Sequence, residues 1–223
     1  MRRPLTALLA ICALSSAAYA DCRDEVSEAL KRQREMSGFR MDSKMVTEDG
    51  LVDMQVDYVL PNRMRQVVTS VKDPTPIETV VVSPFAWTRR QGEPWIPLNP
   101  QLTSELITQM DETVGKDAGG ELGEFECLGR KPVDGEQMLA YQGENEGPGP
   151  KNLGEKKPKL PNRPVRVIYV DATTGLPKRS IFARADQLDK PIFQANYSYP
   201  ADLKIEAPKL EPKPDAKPKD AGQ

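Results

Sequence analysis

The sequence of 223 residues contains no histidine. This absence excludes serine–histidine–aspartate and cysteine–histidine nucleophilic catalysis, histidine acid–base catalysis and nearly all zinc sites. Carboxylates remain, namely Glu121, Glu124 and Glu126, or Glu144 and Glu146. Because most acidic residues stay at protein surfaces, we interpret these as solvated loop charges. A carboxylate hydrolase is therefore the third of our hypotheses, and we expect no enzyme activity, no metal and no other cofactor.

Long apolar runs are also absent, apart from one near the start of the chain. Arg2 and Arg3 precede an apolar stretch over residues 5–14, and small residues then lead to Ala18 and Ala20. This order is typical of a cleavable signal peptide. The apolar stretch is shorter than the roughly 20 residues that a membrane-spanning helix needs. We predict a signal peptide over residues 1–20, cleaved after Ala20, and a periplasmic mature protein.

Cysteines are few as well. Of the three, removal of the signal peptide leaves Cys22 and Cys127. Two cysteines in an oxidising compartment usually form a disulfide. The alternative is a reactive thiol, but the chain has neither a Cys-x-x-Cys motif nor a histidine partner. We therefore predict a disulfide between Cys22 and Cys127, which closes a loop of about 100 residues and contributes roughly 4 to 5 kcal/mol in the chain-entropy model.

The chain has no excess of basic charge. After loss of the signal peptide, 29 basic residues stand against 33 acidic ones, a net charge of −4. A general nucleic-acid-binding protein carries a strong basic excess, so nucleic acid is not an expected partner. The predicted loop over residues 143–164 does hold several lysines. We interpret them as solvated, with transient contact with anionic lipid headgroups at a membrane surface as the alternative.

Apolar and polar residues alternate over most of the remaining chain, most clearly over residues 52–60. This period of two predicts β-strands, and Pro- and Gly-containing turns separate them. The predicted strands are 39–47, 52–60, 63–71, 77–83, 85–90, 95–98, 125–129, 137–142, 165–170, 177–184 and 192–199, with 203–205 as a further short piece. Asp49-Gly50 predicts a hairpin between the first two strands.

Two segments instead show the helical period. The first is predicted over residues 24–36. The second is predicted from Pro100 to about Val114, with Asn99 as its N-cap. Its apolar residues are Leu102, Leu106, Met110 and Val114. This narrow stripe is typical of a helix that covers a surface.

Many short strands with two helices predict a mainly β protein. One curved antiparallel sheet, a half-barrel covered by the two helices, is favoured over a two-sheet sandwich, which leaves the helices without a place. We assign this domain to residues 21–206. The Pro- and Lys-rich residues 207–223 are predicted to be a disordered tail.

Three local patterns occur in this order along the chain. Residues 58–65 combine a strand, a Pro-Asn turn and an Arg-containing strand. Ala86-Trp87 is followed by Trp95 after a Gly-containing turn, and residues 171–177 have the form Asp-x-x-Thr-Gly-Leu-Pro. Together with the signal peptide and the element order, they resemble the LolA/LolB-like periplasmic carriers of outer-membrane lipoproteins, over most of residues 21–208.

The resemblance implies a half-barrel with the helices as a lid. The founding carriers have a lid-holding arginine just before the proline of the first pattern. Here that position is Leu60, and Arg63 and Arg65 are the candidate replacements.

Aromatic residues make up only 6% of the chain, so a sheet that curls around two helices is expected to keep an apolar cavity. The eight methionines suit irregular apolar partners. The predicted cavity lining consists of Met54, Val56, Tyr58, Trp87, Trp95, Leu106 and Met110. The alternative for each residue is ordinary core.

Two leading hypotheses follow. The first is a non-enzymatic periplasmic binding protein that holds a lipid, an acyl chain or a lipidated protein in the cavity, with the second helix as a movable lid or a packed cover. The second is an envelope interaction or sensor domain that uses the same fold to bind a protein partner and carries no lipid.

Overall fold

The computed structural model of the protein describes residues 21–115, 123–144 and 164–210. The predicted signal peptide, Glu121, Glu146 and most of the predicted Lys-containing loop lie outside the described residues. The predicted tail is described only as far as residue 210.

Eleven strands of the described residues form one antiparallel sheet, which is curved and not closed. They are β1 Gly38–Thr47, β2 Gly50–Val59, β3 Arg63–Ser70, β4 Ile77–Val82, β5 Phe85–Arg90, β6 Ile96–Pro97, β7 Phe125–Val133, β8 Glu136–Glu144, β9 Pro164–Asp171, β10 Pro177–Arg184 and β11 Phe193–Ser198. Their order across the sheet is β6-β5-β4-β3-β2-β1-β11-β10-β9-β8-β7, so β6 and β7 are the two edges. The prediction of one curved antiparallel sheet is confirmed.

Two helices complete the described fold. Helix α1 spans Cys22–Glu35, and helix α2 spans Pro100–Val114. The side chain of Asn99 caps α2 by accepting a hydrogen bond from the backbone N–H of Leu102 at 2.9 Å. Pro100 opens that helix, where a missing N–H leaves no hydrogen bond unmade. Neither helix has the length and apolar character needed to cross a membrane.

The strand register places both helices on the same face of the sheet, here called the inner face. Tyr58 packs in the cluster under α2, and Ile168 packs in the cluster under α1. Directly paired residues project to the same face, and so do residues two or four apart on one strand. Ile168 is connected to Met54 by successive strand pairings through Ser180, Ala195 and Ser43. Met54 lies four residues before Tyr58 on β2, so Ile168 and Tyr58 project to the same face.

Helix α1 is fixed to the sheet by a covalent bond and by hydrogen bonds. The predicted disulfide between Cys22 and Cys127 is present, with a Cα–Cα distance of 5.5 Å, and it joins the start of α1 to the edge strand β7. Further along the helix, Glu25 accepts a hydrogen bond from the Tyr141 hydroxyl at 2.5 Å. Gln33 donates to the Tyr199 hydroxyl at 3.2 Å. Helix α1 is therefore a fixed cover over β7 to β10.

The end of the described chain differs from the prediction. Residues 203–205 do not form a strand. Ile205 is nevertheless buried, and its carbonyl oxygen accepts a hydrogen bond from Arg63 at 2.7 Å. This contact satisfies the Ile205 carbonyl, which a strand pairing would otherwise satisfy.

Candidate functional site

The C-terminal half of α2 packs closely onto the inner face of β1 to β5. Met110 and Val114 are buried in one cluster with Val56, Tyr58 and other residues of these strands. Val56 is 2% exposed and Met110 is 1% exposed. At this end the helix and the sheet fill the space between them, so the interior there is close-packed core.

The helix does not present the stripe that the sequence predicted. Leu102 is 44% exposed, whereas Thr103 is buried. A strict spacing of four residues advances by about 40° per step beyond a full helical turn, so Leu102 lies roughly 120° around the helix from Val114. Thr103 lies within about 20° of both Met110 and Val114, so these three residues form the inward stripe of α2.

A groove lies between the N-terminal half of α2 and the sheet edge formed by β5 and β6. It has a volume of about 580 Å³. Its lining residues are Pro84, Phe85, Ala86, Trp87, Pro97, Leu98, Pro100, Thr103, Ser104, Ile107 and Thr108. Carbon-rich side chains form most of this lining, with three hydroxyls on the helix side, and none of these residues carries a charge. Such a groove suits an apolar ligand that has few polar groups.

The structure brings together five of the seven predicted lining residues. Val56, Tyr58 and Met110 are buried members of the cluster under α2, and Met54 and Leu106 pack against it at its margin. Whether any of them contacts a ligand stays a prediction.

The two tryptophans lie elsewhere. Ala86, which pairs with Val81, projects to the inner face. Trp87 is the next residue and pairs with Val80, so it projects to the outer face. At the sheet edge Trp87 also lines the groove. Trp95 lies against Arg89, whose guanidinium carbon is 4.4 Å from the centre of the indole ring. The structure thus places Trp95 outside the groove, in a cation–π contact.

Tyr58 connects the sheet to the helix above it. Burial raises the pKa of its phenol to about 12, and Thr113 of α2 opposes this rise. Phe39 packs against it, with ring centroids 4.9 Å apart. Tyr58 is therefore a neutral anchor of the helix at ordinary pH.

The outer face of β1 to β5 carries a chain of ion pairs. Asp57 binds Arg40 at 2.6 Å and lies 3.9 Å from Arg65. Glu78 binds Arg65 and Arg89, each at 2.6 Å. Burial raises the pKa of Glu78, but hydrogen bonds from the two arginines outweigh this effect and hold the pKa below its usual value.

Neither candidate replacement for the lid-holding arginine faces α2. Arg63 and Arg65 pair with Val59 and Asp57, respectively, which puts both on the outer face. Arg63 binds the Ile205 carbonyl, and Arg65 binds Glu78 and Asp57. Leu60 packs at the margin of the cluster under α2. Apolar packing therefore holds α2 on the sheet.

Sequence reasoning missed most of the groove. Phe85, Leu98, Thr103 and Ile107 line it, and none of them was among the predicted site residues. The sequence held one signal for the helix residues of the groove. The spacing of Pro100, Thr103, Ser104, Ile107 and Thr108 places these five residues on one side of a helix. Within the described residues no group of three or more acidic or cysteine side chains is placed to bind a metal ion.

Comparison with known proteins gives a match in structure alone. The sequence matches no protein-family model and no curated protein at a significant level. The structure is similar to LprF from Mycobacterium bovis, with 15% sequence identity and a TM-score of 0.52, over 84% of this chain and 96% of LprF. It is similar to the lipoprotein LppX from Mycobacterium tuberculosis, with 12% identity and a TM-score of 0.52, over 83% of this chain and 98% of LppX.

A LolA superfamily protein from Nitrosomonas europaea also matches, with 10% identity over 85% of this chain and 96% of that one. Its TM-score of 0.32 is too low to support an argument. At these identities the likeness to LprF and LppX establishes the fold and leaves function open.

Proposed function

From the LolA-like half-barrel fold of this chain, we propose that the protein is a non-enzymatic periplasmic binding protein. It holds an acyl chain, carried by a lipid or by a lipidated protein, in the groove beside α2. The observation that carries this proposal is the groove itself, about 580 Å³ in volume and lined without a single charged residue.

The size and chemistry of the groove support an acyl ligand. Its volume lies within the roughly 300 to 1,000 Å³ of small-ligand pockets. Each methylene group that leaves water contributes roughly 0.8 kcal/mol. A medium-length chain therefore gains enough to bind at micromolar concentration after the cost of association.

The two ends of α2 differ in a way that supports entry of a ligand. Met110 and Val114 are buried against the sheet, whereas the first half of the helix borders the groove. The first half therefore buries less apolar surface on the sheet, and its displacement costs less than unfolding. We infer that α2 widens the groove at its N-terminal end and stays anchored at Met110 and Tyr58.

A second function has its own supporting observation. Phe85, at the groove, is 62% exposed, and Ile96 of the neighbouring strand is 58% exposed. Exposed apolar side chains at a groove are typical of protein-binding sites. An envelope interaction or sensor domain that binds an apolar peptide here and carries no lipid is the alternative.

Titration with a fluorescent fatty acyl probe, together with native mass spectrometry of gently purified protein, tests the proposal. We expect saturable probe binding, and Ile107→Asp should weaken it at least tenfold by placing a charge in the groove. Leu102→Asp is the matched control, because Leu102 lies on the same helix outside the groove. If no lipid co-purifies and no saturable binding occurs, the acyl-binding proposal fails and the interaction domain takes its place.

A further inference from the structure

A row of six paired residues crosses the inner face at some distance from the groove. In order across β9, β10, β11, β1, β2 and β3 they are Arg166, Phe182, Phe193, Met45, Val52 and Ser70. Directly paired residues share a face, so one guanidinium stands at the end of a line of four apolar side chains. Five strand spacings make this row about 24 Å long. We call it the inner-face lane.

The lane lies beyond the clusters that the helices cover. None of its four apolar residues belongs to the cluster under α2 or the cluster under α1. Met45 is 42% exposed, and Phe182, Phe193 and Val52 are half-buried. Among the described residues, the lane is thus an apolar strip on the same face as both helices.

A row of short, buried residues runs beside the lane. The neighbouring row contains Ser180, Ala195 and Ser43, which pair with one another in that order. Their side chains are short, and all three are buried. On β11, Ala195 stands between the larger side chains of Phe193 and Tyr197, which project to the same face. This row therefore places neither a charge nor a bulky side chain beside the lane.

Arg166 reaches the end of this row. Its Nε lies 3.4 Å from the Ser180 hydroxyl, to which it donates a hydrogen bond. It also acts on Tyr197: burial raises the pKa of that phenol, and the nearby guanidinium opposes the rise. The guanidinium thus stands where the row of short residues and the apolar lane meet.

The charges of the sheet are sorted between its faces. On β1, β2 and β4 the acidic residues Asp42, Asp53, Asp57 and Glu78 all project outward by the register. Met45, Val52 and Val68 occupy inner positions of β1, β2 and β3. An anionic group that approaches Arg166 from the inner face therefore meets no carboxylate on these strands.

We propose that the inner-face lane binds a long-chain carboxylate, with the carboxylate on Arg166 and the alkyl chain along Phe182, Phe193, Met45 and Val52. A guanidinium and a carboxylate form strong charge-assisted hydrogen bonds in a two-pronged geometry. One lane with one guanidinium fits one chain with one charge. A two-chain phospholipid needs a second lane. This site goes beyond the acyl groove at α2, which uses other strands.

Competition binding with the full mature protein tests the proposal. Dodecanoate and dodecanol, which have chains of equal length, are titrated against a bound fluorescent fatty acid. We expect dodecanoate to bind more tightly, and Arg166→Gln should weaken dodecanoate roughly 10- to 100-fold while dodecanol is unchanged. Arg130→Gln, on an exposed arginine of β7, is the matched control and should have no effect.

A second variant keeps the test independent of folding problems at Arg166. Met45 is already partly exposed, so Met45→Glu should fold, and it should weaken dodecanoate more than dodecanol. Equal binding of the two chains by the wild type, or unchanged dodecanoate binding by Arg166→Gln, overturns the proposal. Stronger competition by a lysophospholipid phosphate than by dodecanoate overturns the choice of a carboxylate. Ile107→Asp should leave the preference for dodecanoate intact, so failure of the groove and failure of the lane are distinguishable.

Discussion

At the scale of single residues, the outer-face ion pairs show how charge is accommodated on a sheet with an apolar inner side. Glu78 is a half-buried carboxylate that serves two arginines, at 2.6 Å each. Its removal leaves Arg65 and Arg89 without that partner. Because the arginines and not burial decide the shift, the pKa of Glu78 is lower in the folded protein than in the unfolded chain.

Glu78→Gln should therefore lower the free energy of unfolding at neutral pH by about 1 to 3 kcal/mol. A lowered folded-state pKa stabilises the protein fully above the usual pKa of 4.5, and this contribution is lost as the pH falls through the folded-state value. Urea denaturation of both proteins from pH 7 down to pH 3 measures the difference. The exposed Glu48→Gln is the control, and a difference that does not shrink below pH 4.5 would contradict this explanation.

The site illustrates what the residues alone can predict. Alternation correctly put Met54, Val56 and Tyr58 on one face, because a strand has a fixed period of two. It did not reveal that α2 fills the space above them, since packing depends on how a helix lies on a sheet. Trp87 and Trp95 were expected beside them. The register instead turns Trp87 toward the outer face, and Trp95 lies against Arg89.

At the scale of secondary-structure elements, the two helices are fixed to the sheet by different means. Helix α1 has a disulfide to β7. Its Glu25 accepts a hydrogen bond from Tyr141, and its Gln33 donates one to Tyr199. Helix α2 is held by apolar packing at its C-terminal half. The element next to the groove is thus the one without a covalent link among the described residues.

Replacement of both Cys22 and Cys127 by serine should lower the free energy of unfolding. The bond joins positions 105 residues apart. A loop of this length corresponds to roughly 4 to 5 kcal/mol in the chain-entropy model. Guanidinium denaturation measures it, and wild type under reducing conditions should match the double variant. Two freely alkylatable thiols in the native protein, purified without reductant, would refute the pairing.

Most of the elements could be predicted because their local signals agree with the final fold. Asn99 and Pro100 correctly predicted the start of α2, and Asp49-Gly50 correctly predicted the first hairpin. Strand β7 extends to Val133, further than predicted, because a shift in register between Cys127 and Gly129 interrupts its alternation. A bulge of this kind breaks the alternation, so a prediction based on a period of two ends the strand too early.

At the scale of the whole molecule, the connection between β1 and β11 makes one sheet of two consecutive halves. Each half carries one helix, and both helices lie on the inner face. This arrangement is what the element order predicted, because two helices are enough to cover one face of one sheet. The position of the groove could not be predicted, because it is set by the short edge strand β6 and by the way α2 lies beside it.

The central claim is that an acyl chain lies between the first half of α2 and the β5–β6 edge. Photolabelling with a fatty acyl chain that carries a diazirine, followed by peptide mapping, tests it most directly. We predict label on residues 100–108 and 84–87, and an excess of unlabelled chain should abolish it. Label at residues 54–58 would contradict the claim, because it would place the chain under the anchored half of α2. If an excess of unlabelled chain fails to reduce the labelling, the labelling is non-specific and no chain-binding groove exists.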